Sequence, residues 1–172
     1  NYPFGHFNAY EAIARDTEVD LVVHLGDYIY EYGADGWGSA VAAGIDRTHE
    51  PANEIVSLTD YRIRHAQYKS DPGSRAMHAA HPLIAIWDDH ESANNPWVGG
   101  AENHQPDTEG DWSKRREASL IAYYEWMPVR DPLPGHDHRS FWRRYEFGDL
   151  ASLITLETRH TGRARQIEYG DH

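Results

Sequence analysis

Two short apolar runs, each ending in acid, constrain this chain more than any other feature. Leu21-Val22-Val23-His24-Leu25 is β-branched and stops at Gly26-Asp27, and Pro82-Leu83-Ile84-Ala85-Ile86-Trp87 leads straight into Asp88-Asp89-His90. Apolar runs of this length predict strands buried on both faces, as in a parallel sheet. Such sheets place ligands beyond the carboxyl ends of their strands. Both acidic clusters therefore belong at one edge of the sheet, where two separate motifs become one site.

The segments between the strands read as helices and loops. Phe7, Tyr10, Ile13 and Ala14 recur at helical spacing and predict a helix to about Thr17. A Gly- and Ala-rich loop is expected from Gly33 to about Asn53. Thr59 then serves as N-cap for a helix through Tyr61, His65 and Tyr68 that stops before Pro72, with a short helix over Ser74–Ala80. Glu91–Trp112 carries Pro96, Gly99, Gly100, Pro106 and Gly110 and reads as a long functional loop. Ser113 caps a helix that Pro128 ends. Phe141–Phe147 alternates, Gly148-Asp149 turns, and Leu150–Leu156 is a third strand candidate. This order predicts an α/β sheet flanked by helices. At 172 residues a single domain is expected, and the 40% hydrophobic content can fill a core.

Charge sharpens the reading. Seven acids lie between Asp16 and Asp46 and seven more between Ala76 and Trp112, with no Lys or Arg in either stretch. The whole chain carries a net charge of −12. That balance argues against a nucleic-acid or anionic-membrane partner. Carboxylates crowded without basic partners repel one another, and a bound multivalent cation relieves the repulsion. No run of about 18 apolar residues exists, so no transmembrane segment is expected. With no Cys, thiolate metal ligands and disulfides are excluded within these residues.

Two motifs carry the chemistry. In Gly26-Asp27-Tyr28-Ile29-Tyr30, an Asp beyond a strand end offers two oxygens that can bridge hard cations. A Tyr three residues on can turn back toward the same centre, and a phenolate suits trivalent iron better than magnesium. In Trp87-Asp88-Asp89-His90-Glu91, one carboxylate can ligate metal while the His polarises a phosphate oxygen or protonates a leaving group. Asn94 and Asn95 offer further oxygens. His24 reads as a hydrogen-bonded core residue, and His136-Asp137-His138 as a surface turn. Arg62 and Arg64 either pair with the acidic edge or are solvated.

These residues carry a resemblance. Asn1-Tyr2-Pro3, Phe7-Asn8-Ala9-Tyr10, His24-Leu25-Gly26-Asp27-Tyr28-Ile29-Tyr30-Glu31, Tyr61-Arg62, Trp87-Asp88-Asp89-His90-Glu91-Ser92-Ala93-Asn94-Asn95 and Phe147-Gly148-Asp149-Leu150 follow in order over nearly the whole chain. Together they resemble the alkaline phosphatase D (PhoD-like) family of the metallophosphoesterase superfamily. The resemblance implies residues 1–172 as the N-terminal part of a metallophosphoesterase-like catalytic domain, a two-sheet core flanked by helices. It implies iron(III) with calcium as cofactors, Asp27 as the bridging carboxylate and Tyr30 as the phenolate ligand. Asp89, rather than Asp88, takes the place of the superfamily's Asn ligand, and His90 that of its catalytic His.

The activity so implied is hydrolysis of phosphate esters by a metal-activated hydroxide, at a periplasmic or extracellular location. The family's iron site also uses a Cys upstream of Asn-Tyr-Pro and later His and Asp motifs. None of these falls within 1–172, and Asp171-His172 reads as coincidence. Activity is therefore expected of a parent protein and not of this segment alone. A second reading is a non-catalytic calcium-binding module built on the same acids. A third is a two-carboxylate glycosidase using Asp88, Asp89 or Glu91, although neighbouring acids do not by themselves flank a sugar.

Overall fold

A computed structural model describes residues 4–167. The chain begins with α1 (Asn8–Arg15) and β1 (Val22–His24). There follow α2 (Ser39–Gly44), α3 (Leu58–Ser70), α4 (Pro72–Ala80) and β2 (Leu83–Ala85). Then come α5 (Pro106–Glu109), α6 (Trp112–Trp126), β3 (Arg143–Phe147) and β4 (Ala151–Thr155). β1 and β2 pair in parallel, with Val22 opposite Leu83 and His24 opposite Ala85. β3 and β4 form an antiparallel hairpin through the expected Gly148-Asp149 turn. The parallel register sets the functional geometry: three residues beyond the His24–Ala85 pair, Asp27 and Asp88 leave the same edge.

Cap chemistry explains where the helices start. Ser57, and not Thr59, is the N-cap of α3: its side chain accepts from the Asp60 N–H, and Asp60 reaches back to the Ser57 N–H at 2.9 Å. This reciprocal pair satisfies two donors that a lone hydroxyl cannot. Asp71 ends α3 and caps α4, which therefore starts at Pro72 and not at Ser74; its Oδ1 accepts from Gly73 N and Ser74 N. α6 begins at Trp112 after Asp111, which stands two residues ahead of the expected Ser113 cap. The Gly/Ala-rich stretch expected as loop contains α2, because Ala-rich sequence needs little help to wind one and a half turns. Gly73 lets α1 and α4 touch, since a Cβ there would sit 2.6 Å from Phe7 O.

The core is aromatic. Trp87, at the end of β2, meets Phe141 at 4.4 Å and Tyr123 at 5.2 Å between ring centroids, with Tyr61, Tyr68, Ile29, Ile55 and Leu120 buried around them. The expectation that β1 is buried on both faces is corrected: Val23 is 44% and Leu25 76% exposed. Burial on both faces needs cover from both sides, and among the described residues the helices supply one. On the other side Val23, Leu25, Ile86, Ile154 and Leu156 line an apolar cleft between the two sheets. No helix of the described residues is long and apolar enough to cross a membrane.

Buried polar groups tie loops to this core. Arg64, fully buried, donates to the carbonyls of Glu50, Tyr30, Tyr32 and Pro51. It thus anchors the loop after β1 instead of pairing with the acidic edge, while Arg62 meets Glu125 at the surface. His24 is hydrogen-bonded as expected: Gly26 N–H donates to Nδ1 at 3.3 Å, so Nε2 carries the proton toward Tyr10 Oη at 2.7 Å. Burial lowers its pKa to about 4.

His65 is wholly buried against Tyr28 and Trp126, neither ring nitrogen has a hydrogen-bond partner among the described residues, and burial lowers its pKa to about 3. Between pH 3 and about 6.5 the unfolded chain therefore binds the extra proton, so stability falls as pH drops through that window. His65→Leu is expected to flatten the loss of thermal midpoint between pH 7 and pH 5 in the full-length protein. Parallel midpoint profiles for variant and parent would exclude His65 as a source of acid sensitivity.

Candidate metal centre

Gly26 and Asp27 turn the chain sharply out of β1. Both have positive φ, 105° and 55°. Gly26 is needed twice over, because a Cβ there would lie 2.3 Å from Asp88 N. Asp is among the few side chains that tolerate the left-handed region, and strain of this kind gathers at functional sites. The close approach is locked by Glu91. Its buried carboxylate accepts from Tyr28 N–H at 2.6 Å and Asp88 N–H at 2.9 Å, one residue beyond Asp27 and one before Asp89. Burial raises Glu91 to about 7, against the pull of those two N–H groups. A carboxylate so enclosed cannot flank a sugar, which removes Glu91 from the glycosidase reading.

The clamp brings Asp27, Asp89 and His90 together, with one donor atom of each within 4.8 Å of the others. Tyr30 joins them. Its hydroxyl donates to Asp27 Oδ2 at 3.2 Å, and its ring stacks on His90 at 4.4 Å. All four residues singled out in the sequence thus share one place. Asp27 Oδ1 is buried with no hydrogen-bond partner among the described residues. Burial raises the Asp27 pKa, His90 opposes the rise, and the neighbouring Asp89 and Asp88 add to it. An orphaned carboxylate oxygen amid other acids costs free energy that a cation would recover, so the donor set fits a hard metal ion.

The adjacent aspartates divide. Asp89 Oδ2 accepts from Asn95 N–H at 3.0 Å and its carboxylate belongs to the cluster, whereas Asp88 Oδ1 takes the guanidinium of Arg159. Burial disfavours the charge on Asp89, but the Asn95 N–H, His90 and Arg159 together hold its pKa below the usual carboxylate value. Asn94 and Asn95 meet carboxylates through backbone N–H groups, with Asn94 donating to Glu31 Oε1 at 2.7 Å. The Asn95 amide is turned to Glu102 instead.

Glu31 carries a role that residue spacing did not reveal. It is fully buried and accepts from Asn94 N, Asn103 Nδ2 and His90 Nδ1, each at 2.7 Å. Engaging Nδ1 leaves Nε2 as the working nitrogen of His90. Burial alone would lower His90; the Glu31 bond, with the charges of Glu31, Asp89 and Asp27, outweighs it and holds the imidazole up at about 9. Arg159 was equally invisible, lying some seventy positions from Asp88. Glu31 closes the His24–Glu31 motif without any sign of its role, and no motif includes Arg159; only the fold brings them to His90 and Asp88. The His136-Asp137-His138 turn lies at the surface, with His138 on Glu117 and Asp137 on Arg139. Asp171-His172 falls outside the described residues.

The description "PhoD-like phosphatase" names the family model that matches residues 1–171. The chain belongs to this family. It is 44% identical over 159 residues to alkaline phosphatase D of Bacillus subtilis (strain 168), covering 92% of this chain and 26% of that protein. The solved structure of PhoD matches with a TM-score of 0.81 at 42% identity, covering 96% of this chain and 30% of that one. The chain therefore spans little more than a quarter of the length of the curated relative. Its mixed α/β arrangement of small sheets and helices is that of the PhoD structure, and the phosphatase family does not favour the calcium-module reading.

Residues that orient a metal-site histidine commonly matter by about 10–100-fold in affinity or activity. Glu31→Gln, which keeps the shape but loses the charge and one acceptor, is expected to lower phosphatase activity of the full-length protein by that order while leaving its circular dichroism unchanged. Wild-type activity in a folded Glu31→Gln variant would show that His90 works without its carboxylate partner.

Proposed function

We propose that the full-length protein hydrolyses phosphate esters at the Asp27–Asp89–His90 centre. The observation that carries this reading is the buried, unpartnered Asp27 Oδ1 held within one small cluster with Asp89 and His90, in a chain of the PhoD-like phosphatase family. The two small sheets are then parts of a metallophosphoesterase-like two-sheet core whose remaining elements come from the rest of the protein.

Iron(III) with calcium is the pair that the family resemblance implies, and the carboxylate and phenol donors here suit hard cations of that kind. Bound there, the metals would supply Lewis acidity to the phosphoryl oxygens and an activated hydroxide as nucleophile near neutral pH. Asp27, with one oxygen orphaned and the other taking the Tyr30 hydroxyl, would be a shared carboxylate ligand of these ions. Tyr30, whose hydroxyl already reaches Asp27, would hold iron as a phenolate. Asp89 holds its charge through the Asn95 N–H and offers it to the same centre. His90, kept protonated and oriented by Glu31, donates toward the leaving-group oxygen or the developing charge on phosphorus oxygens. The substrate in this reading is a phosphate ester reaching an acid-lined edge, and on the family resemblance we assign the protein to the periplasm or the outside of the cell.

Asp27→Asn and Asp89→Asn in the full-length protein are each expected to reduce hydrolysis of a chromogenic phosphate ester by at least about 100-fold. Unchanged turnover in both would sink the phosphoesterase reading. The purified protein is also expected to show a visible tyrosinate-to-iron charge-transfer band that disappears in Tyr30→Phe. A colourless wild-type protein that retains activity would exclude Tyr30 as an iron ligand.

A further inference from the structure

We propose that Arg159 is a phosphoryl clamp: its guanidinium, aimed by Asp88 at the rim of the Asp27–Asp89–His90 cluster, binds a non-bridging oxygen of the substrate phosphate. The proposal rests on the phosphoesterase reading and adds to it the group that receives the anion.

The acidic stretch that carries Asp88 and Asp89 holds no Lys or Arg of its own. The fold imports one. Arg159 Nε and Nη2 lie 2.6 and 2.5 Å from Asp88 Oδ1, and Nη2 stands 3.8 Å from Asp89 Oδ1. Nη1 has no hydrogen bond among the described residues, and the side chain keeps 17% exposure. The guanidinium is therefore neither buried away nor fully spent: Nε and Nη2 are tethered to Asp88 beside Asp89, and Nη1 is not engaged among the described residues.

The backbone beneath it is fixed by a second carboxylate. Glu157 Oε1 accepts from the N–H groups of Arg159 and His160, each at 2.7 Å, and from Trp87 Nε1 at 3.2 Å. Its Oε2 takes Thr161 N–H and hydroxyl. Trp87 is the residue just before Asp88, so Glu157 bolts the Arg159 turn to the end of the strand that carries the site. A surface ion pair needs no such foundation. A donor that must meet a phosphate oxygen without searching does, because preorganised donors act where charge develops.

Electrostatics supply the need. A phosphate dianion approaching the unpartnered Asp27 oxygen and the neighbouring Asp89 meets like charge there. A planar guanidinium offers it paired donors in the geometry that suits phosphate oxygens. The division of the Asp88-Asp89 pair follows: Asp89 faces the cluster, and Asp88 is a positioning residue that aims Arg159.

The test uses the full-length protein with its metals, reading metal content, inorganic phosphate affinity by calorimetry, and steady-state kinetics on a chromogenic phosphate ester. Arg159→Met is expected to weaken phosphate binding at least about tenfold and lower kcat/KM by about 100-fold, with metal content unchanged. Arg159→Lys should recover part of both losses, and Asp88→Asn, which retains the guanidinium but frees it, should weaken phosphate binding by less than Arg159→Met. Phosphate affinity within twofold of wild type in Arg159→Met overturns the clamp even if ester hydrolysis by the wild type stands. Metal loss in Arg159→Met and Arg159→Lys alike overturns it in favour of a structural ion pair. If the wild type hydrolyses no ester yet binds phosphate through Arg159, the clamp stands and the hydrolytic reading falls.

Discussion

A single buried carboxylate holds the two halves of the site together. Glu91 accepts the N–H groups of Tyr28 and Asp88, and those two amides belong to turns that leave different strands. Without an acceptor each would be an unpaired donor in the interior, at a cost of about 1–3 kcal/mol apiece. Gly26 makes the contact possible by omitting the Cβ that would collide with Asp88. Everything that follows at the strand edge, including the meeting of Asp27 with Asp89 and His90, depends on this short distance being kept.

The same edge is electrostatically unfinished. Asp27 has an orphaned oxygen and neighbours of like charge, and its carboxyl is pushed up by burial and by Asp89 and Asp88. Around it every other acid is matched. Glu31 holds three donors, Asp89 has the Asn95 N–H, and Asp88 has Arg159. The supporting carboxylates are satisfied and the central one is not, and this contrast is the ground on which we propose a bound cation. The buried arginines serve the frame instead. Arg64 binds loop carbonyls on either side of Glu31, and Arg115 reaches Glu54, Glu109 and Tyr61.

Much of the organisation was legible along the chain because it is local. The apolar runs before Gly26 and Asp88 name the parallel strands, and the hairpin follows from Gly148-Asp149. The positions of α1, α3, α4 and α6 came out within a few residues, while α2 and α5 lie in stretches that read as loops. The caps of α3, α4 and α6 did not: Ser57 caps through reciprocal bonds with Asp60, Asp71 through the two N–H groups it accepts, and Asp111 precedes α6 with no side-chain cap bond. The expected double-sided burial of β1 failed at Val23 and Leu25, because an apolar run records what a strand tolerates and not which neighbours cover it.

The sequence by itself determined the chemistry available: which acids end the strands, which Tyr and His accompany them, and that no local cation neutralises them. Those facts reside in residue identity and short spacing. The tertiary structure alone decided that Asp89 and not Asp88 faces the cluster, that Glu31 orients His90, and that Arg159 arrives from a distant turn. These choices turn on ångström-scale directions of hydrogen bonds between segments far apart in the chain, and such directions exist only once the backbone has closed on itself.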